Sequence, residues 1–274
     1  MQNNIHTFHS DIPGPSVAVF CGVHGNEKAG IIAVRKYIED FMPKRGTVHF
    51  VFANPKAIEL GVRFIEKNLN RCFTLQQTAK AHYEEQLAEG LKLLLDDCDA
   101  LLDLHGYNSE EDRPFAICES NSFDVVKELG TDTVITNLSE ISTGSTDVYM
   151  HQNGKIGICL ECGSNHSPEK YVPFAMEAIS NFLAYFGITE KVTTSPPLPQ
   201  LRLKAIMVAK KETNNFHFDK KYMNFDKLDP GTVFAKDGNK EYIAPANSCI
   251  IFPRPEQIIG HEAFILAEEL EQSA

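Results

Sequence analysis

Residues 16–27 read SVAVFCGVHGNE. Ser16–Cys21 is an apolar run of strand length, and the turn GVHGNE that ends it leads into residues 29–41, where Ile31, Ile32, Val34, Tyr37, Ile38 and Phe41 recur at helical spacing. The same alternation continues outward. Residues 47–53 (TVHFVFA) read as a strand stopped by Asn54-Pro55, and residues 78–95 as a long amphipathic helix. Residues 99–104 (DALLDL) form a buried strand ending at His105-Gly106. Residues 115–118, 133–136 and 155–160 are further strands, and residues 168–186 close this part as a helix. Strands alternating with helices predict an α/β fold whose mostly parallel or mixed sheet is flanked by helices. Such sheets take ligands beyond the carboxyl ends of their strands. His24 with Glu27, His105, and Glu161 all fall there.

The pattern changes at residues 193–200 (TTSPPLPQ), three of them proline, which read as a linker after a catalytic domain over residues 1–192. Short β-like runs follow at 201–209, 232–235, 241–243 and 248–252, punctuated by the turn signals Asp229-Pro230-Gly231 and Asp237-Gly238-Asn239. A smaller β-rich C-terminal domain is expected over residues 201–274.

Bulk composition narrows the function. With 43% hydrophobic and 23% charged residues the chain is of ordinary globular make-up. No apolar run reaches the roughly 18 to 20 residues that span a bilayer, and the N-terminus has no charged-then-apolar signal pattern. Seven cysteines without regular spacing fit a reducing compartment better than a disulfide framework. A cytoplasmic protein that does not engage membranes is the expectation. The net charge of -11 repels phosphate backbones, so no nucleic-acid partner is expected. An anionic substrate then needs a local cationic cluster.

The chemistry rests on a constellation. His24 and Glu27, spaced i, i+3 at the opening of a helix, point the same way, and imidazole and carboxylate both suit Zn²⁺. His105, at the end of a separate strand, is the third ligand candidate, leaving one position open for water. Alone, an HxxE pair is commonly a solvated surface pair, and a buried histidine is commonly just hydrogen-bonded; the combination carries the argument. Asp103 shares a strand face with His105 and suits the ring N–H of a ligand histidine, whether His105 or His24. Glu161 interrupts the apolar stretch KIGICLECG (155–163), where a carboxylate beside a metal-activated water can act as general base and acid. Its bland alternative is a structural salt bridge. Asn70 and Arg71 stand within the segment NLNRCF (68–73), with Arg63 a short way upstream, and suit a carboxylate or a developing oxyanion. Cys159 and Cys162 face opposite sides of a strand and do not chelate jointly. His151 and His166 read as loop residues, and the basic, aromatic stretch KKETNNFHFDKKY (210–222) as a solvated hairpin face.

GVHGNE, NLNRCF, DLHG and LECG, in that order, resemble the succinylglutamate desuccinylase/aspartoacylase family of zinc acylases, related to zinc carboxypeptidases. The resemblance runs through residues 15–190, and the β-rich C-terminal part fits the family's layout. It implies a zinc carboxypeptidase-like catalytic fold and one zinc per chain on His24, Glu27 and His105. It further implies Glu161 as general base and acid, Arg63 polarising the scissile carbonyl, and Asn70 and Arg71 holding a substrate carboxylate or the carbonyl region. The reaction implied is hydrolysis of the amide bond of a small anionic N-acyl amino acid. The family also allows a homo-oligomer, which no motif here decides. Two departures stand out. An arginine expected shortly before the Glu161 strand is replaced by TDVYMHQNGK (146–155), where His151 or Lys155 stands instead. A C-terminal tyrosine is missing, with His261 in roughly its place. A zinc carboxypeptidase for small peptides, or a non-catalytic zinc-binding protein on the same fold, remain the alternatives.

Overall fold

The computed structural model describes residues 4–74, 82–108, 113–190 and 201–270. Strands Ile5–His9 (β1), Ser16–Cys21 (β2) and Thr47–Phe52 (β3) open the sheet, with β1 antiparallel and β2 parallel to β3. Helix Lys28–Tyr37 (α1) follows β2. Pro55–Leu60 (α2) follows β3; Asn54 caps it by accepting from Ala57 N at 3.3 Å, Pro55 stands at its start, and Gly61 ends it in the left-handed region. Tyr83–Asp96 (α3) leads into Ala100–Tyr107 (β4), which lies parallel to β2. The start expected for this helix, at residue 78, lies outside the described residues.

Phe115–Cys118 (β5), Phe123–Val126 (α4), Thr133–Thr136 (β6), Leu138–Ile141 (α5) and Thr146–Gln152 (α6) precede Ile156–Ser164 (β7), which is parallel to β4 and antiparallel to β5. Pro168–Tyr185 (α7) closes this part. Side chains of the inner strands alternate between two faces, and helices cover both. Val17, Val19, Leu102 and Ile158 pack under Val34 of α1 and Ile179 and Phe182 of α7. Ala18, Phe20 and Leu101 meet Leu91 and Leu95 of α3 and Met150 of α6 on the other face.

Leu201–Lys210 (β8) does not begin a detached layer. It pairs parallel with β6, and the chain continues through Phe216–Phe218 (β9), Val233–Asp237 (β10), Lys240–Ile243 (β11), Ser248–Ile251 (β12) and Glu262–Glu269 (β13). The main sheet has ten strands in the order β1-β3-β2-β4-β7-β5-β6-β8-β13-β12, and β11-β10-β9 form a small antiparallel sheet. The fold is thus mixed α/β with a smaller C-terminal β part. The proline-rich stretch 193–200 lies outside the described residues. No helix among the described residues is long and apolar enough to cross a membrane.

From β2 the chain crosses to one neighbour, β3, and then returns to the other, β4. The carboxyl ends of β2 and β4 therefore flank a switch point, the crevice where such sheets bind ligands.

Candidate active site

The turn after β2 carries His24 and Glu27. Gly25 lets it lie on α2, since a Cβ there would fall 2.0 Å from the Ala57 carbonyl carbon. His105 of β4 and Glu161 of β7 are register partners in adjacent parallel strands. All four side chains are buried.

Glu27 is the hub. Its Oε1 lies 2.8 Å from His24 Nδ1 and accepts from Arg63 Nη1 at 3.0 Å. Its Oε2 lies 2.9 Å from His105 Nδ1 and accepts from Gly106 N at 3.1 Å. Each imidazole also meets an oxygen on its far side, through a hydrogen bond at His24 and through charge proximity alone at His105. His24 Nε2 is 2.8 Å from Asn68 Oδ1, and His105 Nε2 is 3.0 Å from Asp103 Oδ2. Asp103 Oδ2 accepts from Thr146 Oγ1 at 2.6 Å as well. Of the two roles open to Asp103, the contact with His105 is the one formed; Asn68 serves His24.

Asn68 Oδ1 also accepts from Asn70 N at 3.0 Å, which fixes it as an oxygen and makes His24 Nε2 the donor. Burial, and then the Arg63 charge, bring the His24 pKa down to about 4 against the pull of Glu27, so the ring is neutral at ordinary pH. With that tautomer Nδ1 offers a lone pair. It faces a carboxylate oxygen with no hydrogen bond between them, a buried arrangement that a cation between the two relieves. Burial alone would lower the pKa of His105, but the charges of Asp103, Cys159 and Glu27 outweigh it and raise it. The local field thus favours positive charge. Two imidazoles and a carboxylate, with ligand atoms within 4.8 Å of one another, match the nitrogen and oxygen donors zinc takes. The residues fit the metal.

Glu161 has one buried oxygen, Oε2, without a partner. Burial raises its pKa to about 7; His105 works against that shift and Glu27 adds to it, while Arg63 and Arg254 also lower it. A carboxyl group of this kind can both take and give a proton near neutrality.

These groups floor a cleft of about 1320 Å³ whose outer wall is built by residues from Lys210 onward. Asn70 Oδ1 accepts from Thr146 N at 3.2 Å, which leaves its amide NH₂ as the group to offer the cleft. Arg71 is committed within the protein. Its Nε donates to Glu262 Oε1 at 2.8 Å, Nη2 donates to the same oxygen, and Nη1 donates to Asn70 O at 2.6 Å. Arg254 Nη1 reaches the other oxygen, Glu262 Oε2, at 3.3 Å. Burial would raise the Glu262 pKa, but Arg71 and Arg254 hold it below the ordinary carboxylate value. Neither replacement for the expected arginine enters the cleft. His151 bonds to Asn121 at 3.0 Å, and Lys155 Nζ to the carbonyls of Leu95 and Asp96 at 3.0 and 2.5 Å. His166 and His261 do line it. Cys159 faces the cleft while Cys162 packs under α7, on opposite sides of β7.

The family model for the succinylglutamate desuccinylase/aspartoacylase catalytic domain matches residues 13–185, and that for the AstE/AspA barrel-sandwich hybrid domain matches residues 203–270. The succinylglutamate desuccinylase of Vibrio campbellii is 26% identical over 283 residues, spanning 93% of this chain and 81% of that protein. The crystal structure of succinylglutamate desuccinylase from Vibrio cholerae superposes with a TM-score of 0.82 at 21% identity, over 97% of this chain and 85% of that one. The product-bound ectoine utilization protein EutE of Ruegeria pomeroyi gives 0.74 at 18% identity, over 96% and 88%. At these identities the two structures show a common fold.

Proposed function

The chain belongs to the succinylglutamate desuccinylase/aspartoacylase family, and on that premise we propose that it is a zinc-dependent hydrolase cleaving the amide bond of a small anionic N-acyl amino acid. The observation that carries the reading is the pair of imidazole Nδ1 atoms turned on one buried carboxylate, 2.8 and 2.9 Å away, at the floor of a cleft with a basic wall. His24, Glu27 and His105 would hold one zinc, which supplies Lewis acidity and makes a water acidic enough to attack near neutral pH.

The chain's own groups do the rest. Glu161 accepts the proton of the attacking water as the new C–O bond forms. It delivers that proton to the nitrogen as the C–N bond breaks, so a carboxylic acid and an amine form, and the acid's remaining proton passes to the amine to leave a carboxylate and an ammonium. Arg63, beside Glu27, donates to the carbonyl oxygen as negative charge develops there. Asn70 adds a neutral donor, and Arg71 contributes its charge to the substrate-binding wall. Asp103 keeps the His105 ring oriented. All seven cysteines are free thiols, which supports a reducing, cytoplasmic setting.

The test is metal content measured together with amine release from a panel of N-acetyl and N-succinyl amino acids, with and without chelator. About one zinc per chain and chelator-sensitive hydrolysis of one or a few members is the expected result. A metal-loaded protein inert on every member would overturn the deacylase reading.

A further inference from the structure

Glu262 is a single carboxylate spanned by two guanidiniums, Arg71 on Oε1 and Arg254 on Oε2. One negative charge against two positive ones leaves a net positive charge in the cleft wall. The two arginines are not equivalent. Arg71 uses Nε, Nη1 and Nη2 on protein acceptors. Arg254 uses only Nη1; its Nε and Nη2 have no acceptor among the described residues, and its side chain is 31% exposed in the cleft. A guanidinium edge of this kind matches a carboxylate in two-point contact. Phe252 under the guanidinium, 5.8 Å from ring centre to Cζ, and the tether to Glu262 hold it in place. Lys211, buried and lining the same cleft, bonds through Nζ to the Glu256 carbonyl. Arg254 and Glu161 are near enough for each charge to act on the other. Arg254 and Glu161 line one cleft together with His24, Glu27 and His105.

We propose that Arg254 is the specificity-determining residue of this cleft, its open Nε–Nη2 edge taking a carboxylate of the substrate, while Glu262 positions it and Arg71 braces Glu262. The inference rests on the deacylase reading for its kinetic arm and stands independently of it in binding. The carboxylate can belong to the acyl chain or to the amino acid.

Binding is read by calorimetry on the metal-loaded protein, with succinate against propionate as probes. They differ by one carboxylate, so their affinity ratio isolates the second acidic contact. Arg254→Met is expected to shrink that ratio by about tenfold or more, the scale of a hydrogen-bonded charge contact. Arg254→Lys keeps a charge without the fork and is expected to lose a large part of it; should the methionine variant fail to fold, the lysine variant reads the same ratio. In turnover, KM should rise with kcat little changed on N-succinylalaninamide, whose one carboxylate is on the acyl chain, if the acyl chain is held, or on N-acetylaspartate, whose carboxylates are both on the amino acid, if the amino acid is. N-acetylalaninamide is expected to be unaffected. A wild-type ratio that persists in both variants, at unchanged metal content and circular dichroism, would overturn the assignment. If no panel amide is hydrolysed yet the ratio still collapses in the variants, the deacylase reading falls and the carboxylate subsite stands.

Discussion

Glu161 and Asp103 both stand near the candidate metal centre, yet they should fail differently when altered. Glu161→Gln keeps the shape and removes the base, so zinc should stay bound while turnover falls by at least about a hundredfold. Hydrolysis that survives this change intact would refute the role given to Glu161. Asp103→Asn keeps the strand and weakens only the support behind His105, so zinc affinity should drop about tenfold to a hundredfold in a chelator competition. Unchanged affinity would mean that Asp103 serves only Thr146. These residues were legible in the sequence because each is a carboxylate interrupting an apolar strand within a short motif, DLHG or LECG. Arg254 and Glu262 were not. The contact between Arg71 and Glu262 joins positions 191 residues apart, and no local pattern announces a pairing of that range. Asn68 sat inside a quoted motif, but its grip on His24 depends on a loop path that residue spacing does not encode.

At the level of elements, helix α3 reaches the site through a loop it does not belong to. Glu84, fully buried near the start of α3, accepts from the backbone N–H groups of Ile65, Glu66 and Lys67 at 2.7, 3.1 and 3.0 Å, and from Asn54 Nδ2 at 3.2 Å. It thereby fixes the chain between Arg63 and Asn68, the residues that touch Glu27 and His24. Burial would raise its pKa, but those hydrogen bonds favour the charged form and lower it. A depressed pKa contributes stability that is complete above the unfolded value of about 4.3 and is lost as pH falls through the folded one. Glu84→Gln should therefore cost roughly 1–3 kcal/mol near neutral pH. The gap in Tm from wild type should hold between about pH 6 and 8 and narrow below about pH 4. A gap that widens in acid would show that the charge is not what holds the loop. Most strands that carry the site were readable, since β2, β4 and β7 are continuous apolar runs. The outer ones were harder. The edge strand β1 alternates with polar residues beside a polar terminus, and β13 is an apolar core enclosed by acidic residues.

For the molecule as a whole, the proline-rich break suggests two separable domains, whereas the sheet crosses it. β8 takes β6 as a parallel neighbour, so the outermost strand of the α/β part is hydrogen-bonded into the C-terminal part. Phe115, Ile117 and Ile135 from one side share a core with Leu203, Ala205, Ile251, Ile265 and Ala267 from the other. The Glu262 bridge to Arg71 fastens the same two parts across the cleft. Residues 1–192 alone would leave the β6 edge unpaired and this apolar cluster open to water, a surface that invites aggregation. The full chain should accordingly unfold in one calorimetric transition with matching calorimetric and van't Hoff enthalpies. Chelation should shift that transition to lower temperature without splitting it, because a metal bound only to the native state stabilises the whole cooperative unit. A fragment of residues 1–192 that is soluble, monomeric and native in near-ultraviolet circular dichroism would defeat this view. So would two resolved transitions of which only one responds to chelator; the C-terminal strands would then be an appended cover over an independently folded α/β unit.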